Sequence, residues 1–123
     1  MTKRKINSRQ KGAAGEREWR DFLKERGFEA RRTQQYAGFT GDASDIVCEA
    51  LKQFHWEVKR VELLNISKAM AQATRDTTNT NRTPIVAHRR SREEWFCTMK
   101  ATDLLAIFQE LYHHQKEKSD EPE

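Results

Sequence analysis

Hydrophobic positions along the chain recur first with a helical period and then with a strand period. Between residues 12 and 26, Trp19, Phe22, Leu23 and the stem of Arg26 fall at i, i+3, i+4 and i+7, which is one face of a helix. Gly27 follows where a helix-ending glycine belongs. Residues 28–35 read as extended, and 36–44 (YAGFTGDAS) as a loop rich in turn residues. Residues 45–50 (DIVCEA) form a short apolar strand. Residues 53–60 (QFHWEVKR) alternate strictly, with Phe54, Trp56 and Val58 on one face and His55, Glu57 and Lys59 on the other. A brief turn at Leu51 and Lys52 predicts a hairpin between these two runs. Residues 65–76 return to helix, with Asn65 or Ser67 as cap and Ile66, Met70 and Ala73 as the apolar stripe. Strands at 84–88 and 95–99 flank a charged turn at 89–94. Thr102 is placed to cap a last helix that runs through Leu104, Leu105, Phe108 and Leu111. The order of elements predicts one α/β domain: a mixed sheet with helices packed against it.

Charge sharpens the organisation. The chain has 123 residues and a mean hydropathy of −0.99, enough for one compact core and little more. Residues 1–35 hold eleven basic and five acidic side chains, whereas the overall formal charge is only +4. That basic third suits a polyanion. Residues 1–11 are expected to be a flexible basic arm, 12–114 the folded domain and 115–123 a disordered charged tail. Arg4, Lys5, Lys11, Arg17, Arg31 and Arg32 are candidate phosphate contacts; the plainer reading is a solvated surface. Cys48 and Cys97 make no disulfide framework, and each is expected to be a buried thiol. No apolar run approaches a membrane span, and the basic amino terminus lacks the apolar segment expected of a signal peptide. The expected compartment is reducing and cytoplasmic.

The candidate chemistry lies on the alternating strand. Glu57 and Lys59 share a face, and Asp45 stands twelve residues before Glu57, at the head of the neighbouring strand. A hairpin brings the two carboxylates within reach of each other, where they can converge on one hard cation. Mg²⁺ (or Mn²⁺) suits one or two carboxylates completed by water and phosphate oxygens. Lys59 is then placed to orient a nucleophile or stabilise developing negative charge. A solvent-exposed polar face is the simpler alternative for this strand.

Asp45 and Glu57-Val58-Lys59, with eleven residues between the two carboxylates, resemble the PD-(D/E)xK nuclease motif, with Ser44 where proline is usual. Residues 11–17 (KGAAGER) resemble the opening of archaeal-type Holliday junction resolvases and of similar small phage endonucleases, in which a glutamate precedes an arginine in the first helix. Glu16 takes that position. The similarity extends over about residues 11–108, through Gly27 and Phe28, the late strands and the Asp103-Leu104-Leu105 start of the last helix. It implies a restriction-endonuclease-like mixed β-sheet flanked by helices. It further implies Glu16, Asp45 and Glu57 as metal ligands, the Val58 carbonyl facing the metal, and Lys59 as the catalytic lysine. Relatives carry a polar residue on the following helix that reaches the site, which makes Gln72 a candidate beside the plainer reading of a surface glutamine. Lys68 is a candidate phosphate contact. Thr40 and Ser44 lie on a loop that in resolvases touches DNA.

The function expected from this resemblance is metal-dependent hydrolysis of DNA phosphodiesters, selective for branched DNA. Matched cuts across a junction call for a homodimer. The alternatives are a nicking or restriction-like duplex endonuclease and a non-catalytic DNA-binding module. Zinc is not expected, because Cys48, His55, His88 and Cys97 lack ligand spacing. Trp56 and Trp95 are read as core residues rather than stacking platforms for bases.

Overall fold

In the computed structural model, residues 8–33 and 45–120 are described, with side chains from residue 12 onward. Helix α1 spans Ser8–Glu25 and buries Trp19 and Leu23. It ends as the glycine predicted: Gly27 adopts φ +90°, its N–H reaches the Lys24 carbonyl at 3.0 Å and the Phe28 N–H reaches that of Leu23 at 3.0 Å. This pair of bonds closes a helix only when the residue after the cap tolerates a left-handed backbone.

Strands β1 (Arg31–Arg32), β2 (Ile46–Val47), β3 (Phe54–Arg60), β4 (Thr83–Arg89) and β5 (Phe96–Thr98) form one sheet in that order. β3 and β4 are parallel and the other pairs antiparallel, so the sheet is mixed as expected. The parallel pair is bridged by helix α2 (Ile66–Asp76), whose cap is Asn65: its side chain accepts the Lys68 N–H at 3.0 Å. The predicted strand at 45–50 pairs only at Ile46 and Val47. Glu49–Leu51 turn into a short 3-10 helix, in which the Leu51 N–H bonds to the Cys48 carbonyl.

The two helices cover opposite faces of the sheet. On one face Trp19 and Leu23 of α1 pack with Ile46, Trp56, Val58, Ile85 and Ala87. On the other, Ala69 and Ala73 of α2 pack on Val86. The polar row of β3 therefore is not a solvated surface: His55 and Glu57 are 2% and 4% exposed. A parallel crossover helix covers whatever the strands beneath it carry, polar or not.

Helix α1 lies unusually close to the sheet at one point. A Cβ added to Gly15 would stand 2.9 Å from the Arg60 Cβ, whereas one at Gly12 would meet nothing within 4 Å. Gly15→Ala should destabilise the fold by about 1–3 kcal/mol, because the helix must lift off the strand. Gly12→Ala should be neutral or stabilise by up to about 1 kcal/mol. Urea unfolding of the two variants checks this, and equal midpoints would contradict the close approach.

The ends depart from expectation. α1 begins at Ser8, inside the segment assigned to the arm. Helix α3 spans Ala101–Asp120, past residue 114, because Gln115, Lys116, Glu117 and Lys118 favour helix by themselves. Cys48 is buried but Cys97 is exposed on the edge strand β5. α3 buries no residue: Leu105, Phe108 and Leu111 are each more than half exposed.

Candidate active site

β2 and β3 pair through Ile46 and Trp56, so the antiparallel register sets Asp45 across from Glu57. The Asp45 N–H still reaches the Trp56 carbonyl at 3.0 Å. One residue further the Asp45 side chain takes over from the backbone: its Oδ2 accepts the Val58 N–H at 2.8 Å. In an extended strand the carbonyl of a residue leaves on the same edge as its N–H, so the Val58 carbonyl also faces this gap.

The Asp45 carboxyl is pushed up from its ordinary 3.8 to about 7. Burial contributes most, followed by the neighbouring Glu57 carboxylate and, more weakly, Glu16; the Val58 N–H and Lys59 act in the opposite direction. Glu57 stands 3.3 Å from the Lys59 ammonium through Oε1. Glu16 is buried on α1, and its Oε2 accepts from Arg32 Nε at 2.9 Å. Glu18, the other acid bordering the apolar arc of α1, turns instead to Arg60 and Arg89 at 2.6 and 3.5 Å.

The structure thus brings Glu16, Asp45, Glu57, the Val58 backbone and Lys59 to one region. Gln72 is half-buried on α2. Lys68, Arg17 and Arg31 are exposed, and Arg32 is engaged by Glu16. Arg4, Lys5, Thr40, Ser44 and the Lys11 side chain lie outside the described residues. Two residues without an assigned role come to Glu57 from its other side. His55 Nε2 lies 3.9 Å from Glu57 Oε2 and 4.0 Å from Asp76 Oδ2. His55 was legible as a neighbour of Glu57 on β3, two residues away. Asp76, at the end of a helix nineteen positions later, left no signal in the sequence.

The donor set fits a divalent cation. Two carboxylates face each other with one ammonium beside them, and the proton that Asp45 retains near neutrality marks a charge deficit that a cation would fill. The other histidine of the sheet, His88, is bonded through Nε2 to Thr98 Oγ1 at 2.8 Å.

A five-stranded mixed sheet flanked by helices, with acids opposite one another on two adjacent antiparallel strands and a lysine two residues on, defines the class: a PD-(D/E)xK nuclease with a restriction-endonuclease-like fold. The family described as "Phage putative PDDEXK endonuclease" matches residues 7–121, and the chain belongs to it. Among solved structures, Hjc of Archaeoglobus fulgidus, a Holliday junction resolvase from an archaeal hyperthermophile, is similar. The two share 26% identity over 72% of each chain, with a TM-score of 0.54. No curated protein matches the chain.

Proposed function

We propose that the protein is a divalent-metal-dependent DNA endonuclease selective for branched DNA. The observation that carries this reading is the Asp45–Glu57 pair, set opposite one another across two antiparallel strands, with Lys59 3.3 Å from Glu57. Asp45, Glu57 and the Val58 carbonyl would hold the ion, with Glu16 as a further ligand kept in orientation by Arg32. Mg²⁺ held there, or Mn²⁺ in its place, would supply Lewis acidity toward the phosphate and lower the pKa of a water. Lys59 orients that water and offsets negative charge on the phosphorane-like transition state. Gln72 lies on the helix that covers the same face and is assigned a polar contact to the reacting group. Lys68, Arg17 and Arg31, with Arg4, Lys5, Lys11, Thr40 and Ser44, are assigned to the DNA backbone.

Branched DNA as substrate is supported by the similarity to a Holliday junction resolvase. Matched cuts on two strands require two centres, and the exposed apolar stripe of α3 supports a two-fold dimer. A cytoplasmic setting accords with DNA as substrate. Among the described residues, no helix is long and apolar enough to cross a membrane.

The test is a panel of four-way junctions, nicked duplexes and linear duplexes, incubated with Mg²⁺, Mn²⁺ or EDTA. The expected result is paired nicks on junctions, slow cutting of linear arms and none in EDTA. Equal cutting of junctions and arms replaces the branched-DNA reading with a duplex nicking enzyme. Cutting that persists in EDTA removes the metal from the chemistry.

A further inference from the structure

We propose that His55, Glu57 and Asp76 form a second metal-binding site, for a transition-type divalent cation such as Mn²⁺, on the side of Glu57 away from Lys59. Among the described residues this is the group of three whose ligand atoms all lie within 4.8 Å of one another. The side chain of His55 is 2% exposed, and its Nε2 has no hydrogen-bond partner. A buried ring nitrogen left unbonded is costly and rare. Its distances of 3.9 Å to Glu57 Oε2 and 4.0 Å to Asp76 Oδ2 are too long for hydrogen bonds. They exceed by about half an ångström the roughly 3.0–3.4 Å between neighbouring ligands 2.1 Å from one centre, a gap that small side-chain rotations close around an ion.

Charge argues the same way. Asp76 is the last residue of α2, where the helix dipole presents its negative end. A carboxylate there is disfavoured and a cation favoured. Glu57 brings a second carboxylate, this one buried, to the same place, and a buried anion needs compensation. The imidazole selects among cations: a nitrogen ligand beside two carboxylates suits Mn²⁺ or a later first-row metal better than Mg²⁺. Access is through Asp76, whose side chain is 31% exposed. Glu57 would then divide its two oxygens, Oε1 toward Lys59 and Oε2 toward His55, so that an ion at this site also fixes the carboxylate of the Asp45 centre. The site stands on His55 and Asp76 and does not depend on what the Asp45 centre does to DNA.

Full-length protein titrated with Mn²⁺ and followed by electron paramagnetic resonance tests this. Free Mn²⁺ gives the number of ions bound per chain, and electron spin echo modulation reports nitrogen coupled to the bound metal. Asp76→Asn, at a partly exposed position that should fold normally, is expected to bind one Mn²⁺ fewer than wild type. Nitrogen coupling should be present in wild type and in Asp45→Asn, and lost in His55→Gln. An unchanged Mn²⁺ count in Asp76→Asn overturns the site, as does nitrogen coupling that is absent from wild type or persists in His55→Gln. Failure of the Asp45 centre alone would read differently: Asp45→Asn would then bind as many ions as wild type, while Asp76→Asn still lost one.

Discussion

Asp45→Asn is expected to abolish cleavage and, in the same molecule, to stabilise the metal-free fold. The amide keeps an oxygen to accept the Val58 N–H, which the carboxylate holds at 2.8 Å, so the local backbone is preserved. It removes the anion proposed to hold the metal, and cleavage in Mg²⁺ should fall by roughly three orders of magnitude in single turnover. It also removes the acid that burial and Glu57 push up to about 7. The unfolded chain releases that proton near 3.8 and the folded chain near 7. Between the two, the folded state holds a proton that the unfolded state has lost, so stability is greatest on the acid side and declines as pH rises from about 4 to about 7. The displacement corresponds to about 4 kcal/mol at full burial; with solvent reaching the site, about 2 kcal/mol is expected. Urea unfolding in EDTA at pH 5 and pH 8 measures it. Wild type should lose stability relative to Asp45→Asn over that interval. Parallel curves for the two proteins would overturn the raised pKa of Asp45, and an active Asp45→Asn would rule out the metal-centre reading of this residue.

Trp19→Ala should bring the largest loss of stability, about 3–5 kcal/mol. Trp19 is 3% exposed, and its ring centroid lies 5.2 Å from that of Phe22, 5.3 Å from Trp56 and 5.1 Å from Trp95. It is the side chain through which α1 grips the sheet, and truncation leaves a cavity that three aromatic neighbours cannot close. Against a total of about 5–15 kcal/mol for a domain of this size, such a loss leaves a marginal fold. The midpoint of thermal unfolding should drop by roughly 10–20 °C. Trp19→Phe should cost far less, because it keeps a ring in place and deletes an indole N–H that has no partner. A drop of only a few degrees in Trp19→Ala would mean that α1 is held by something other than this aromatic cluster. Glu16, three residues before Trp19, would then keep its place without it.

Particular residues mark how much was legible beforehand. Gly27 announced the end of α1, and the alternation of residues 53–60 assigned Glu57 and Lys59 to one face and Trp56 and Val58 to the other. Glu16 was assigned from resemblance, and nothing in the period of α1 separates it from Glu18, two residues on. The fold shows the difference between them: Glu16 points to Arg32, and Glu18 to Arg60 and Arg89. Arg32, read as a candidate phosphate contact, holds that glutamate, a pairing that exists only once β1 and α1 have met. The apolar stripe of α3 was read from its period, but a period does not say that the stripe stays exposed in the single chain.

The chain by itself determined most of its elements, the caps at Gly27 and Asn65 and the face each residue of β3 takes, because these depend on neighbours within a turn of helix or a few steps of strand; Thr102, expected to cap the last helix, lies inside it. It also carried the acids and the lysine in a recognisable order. Only the tertiary structure decided that β3 runs parallel to β4 and lies under α2, that Asp45 falls opposite Glu57, and that Asp76 approaches His55. The physical reason is one of range. Periodicity is a local property, whereas burial and Coulomb interactions depend on distances between residues that the sequence leaves far apart. The protonation of Asp45 near neutrality therefore arises from the assembled fold.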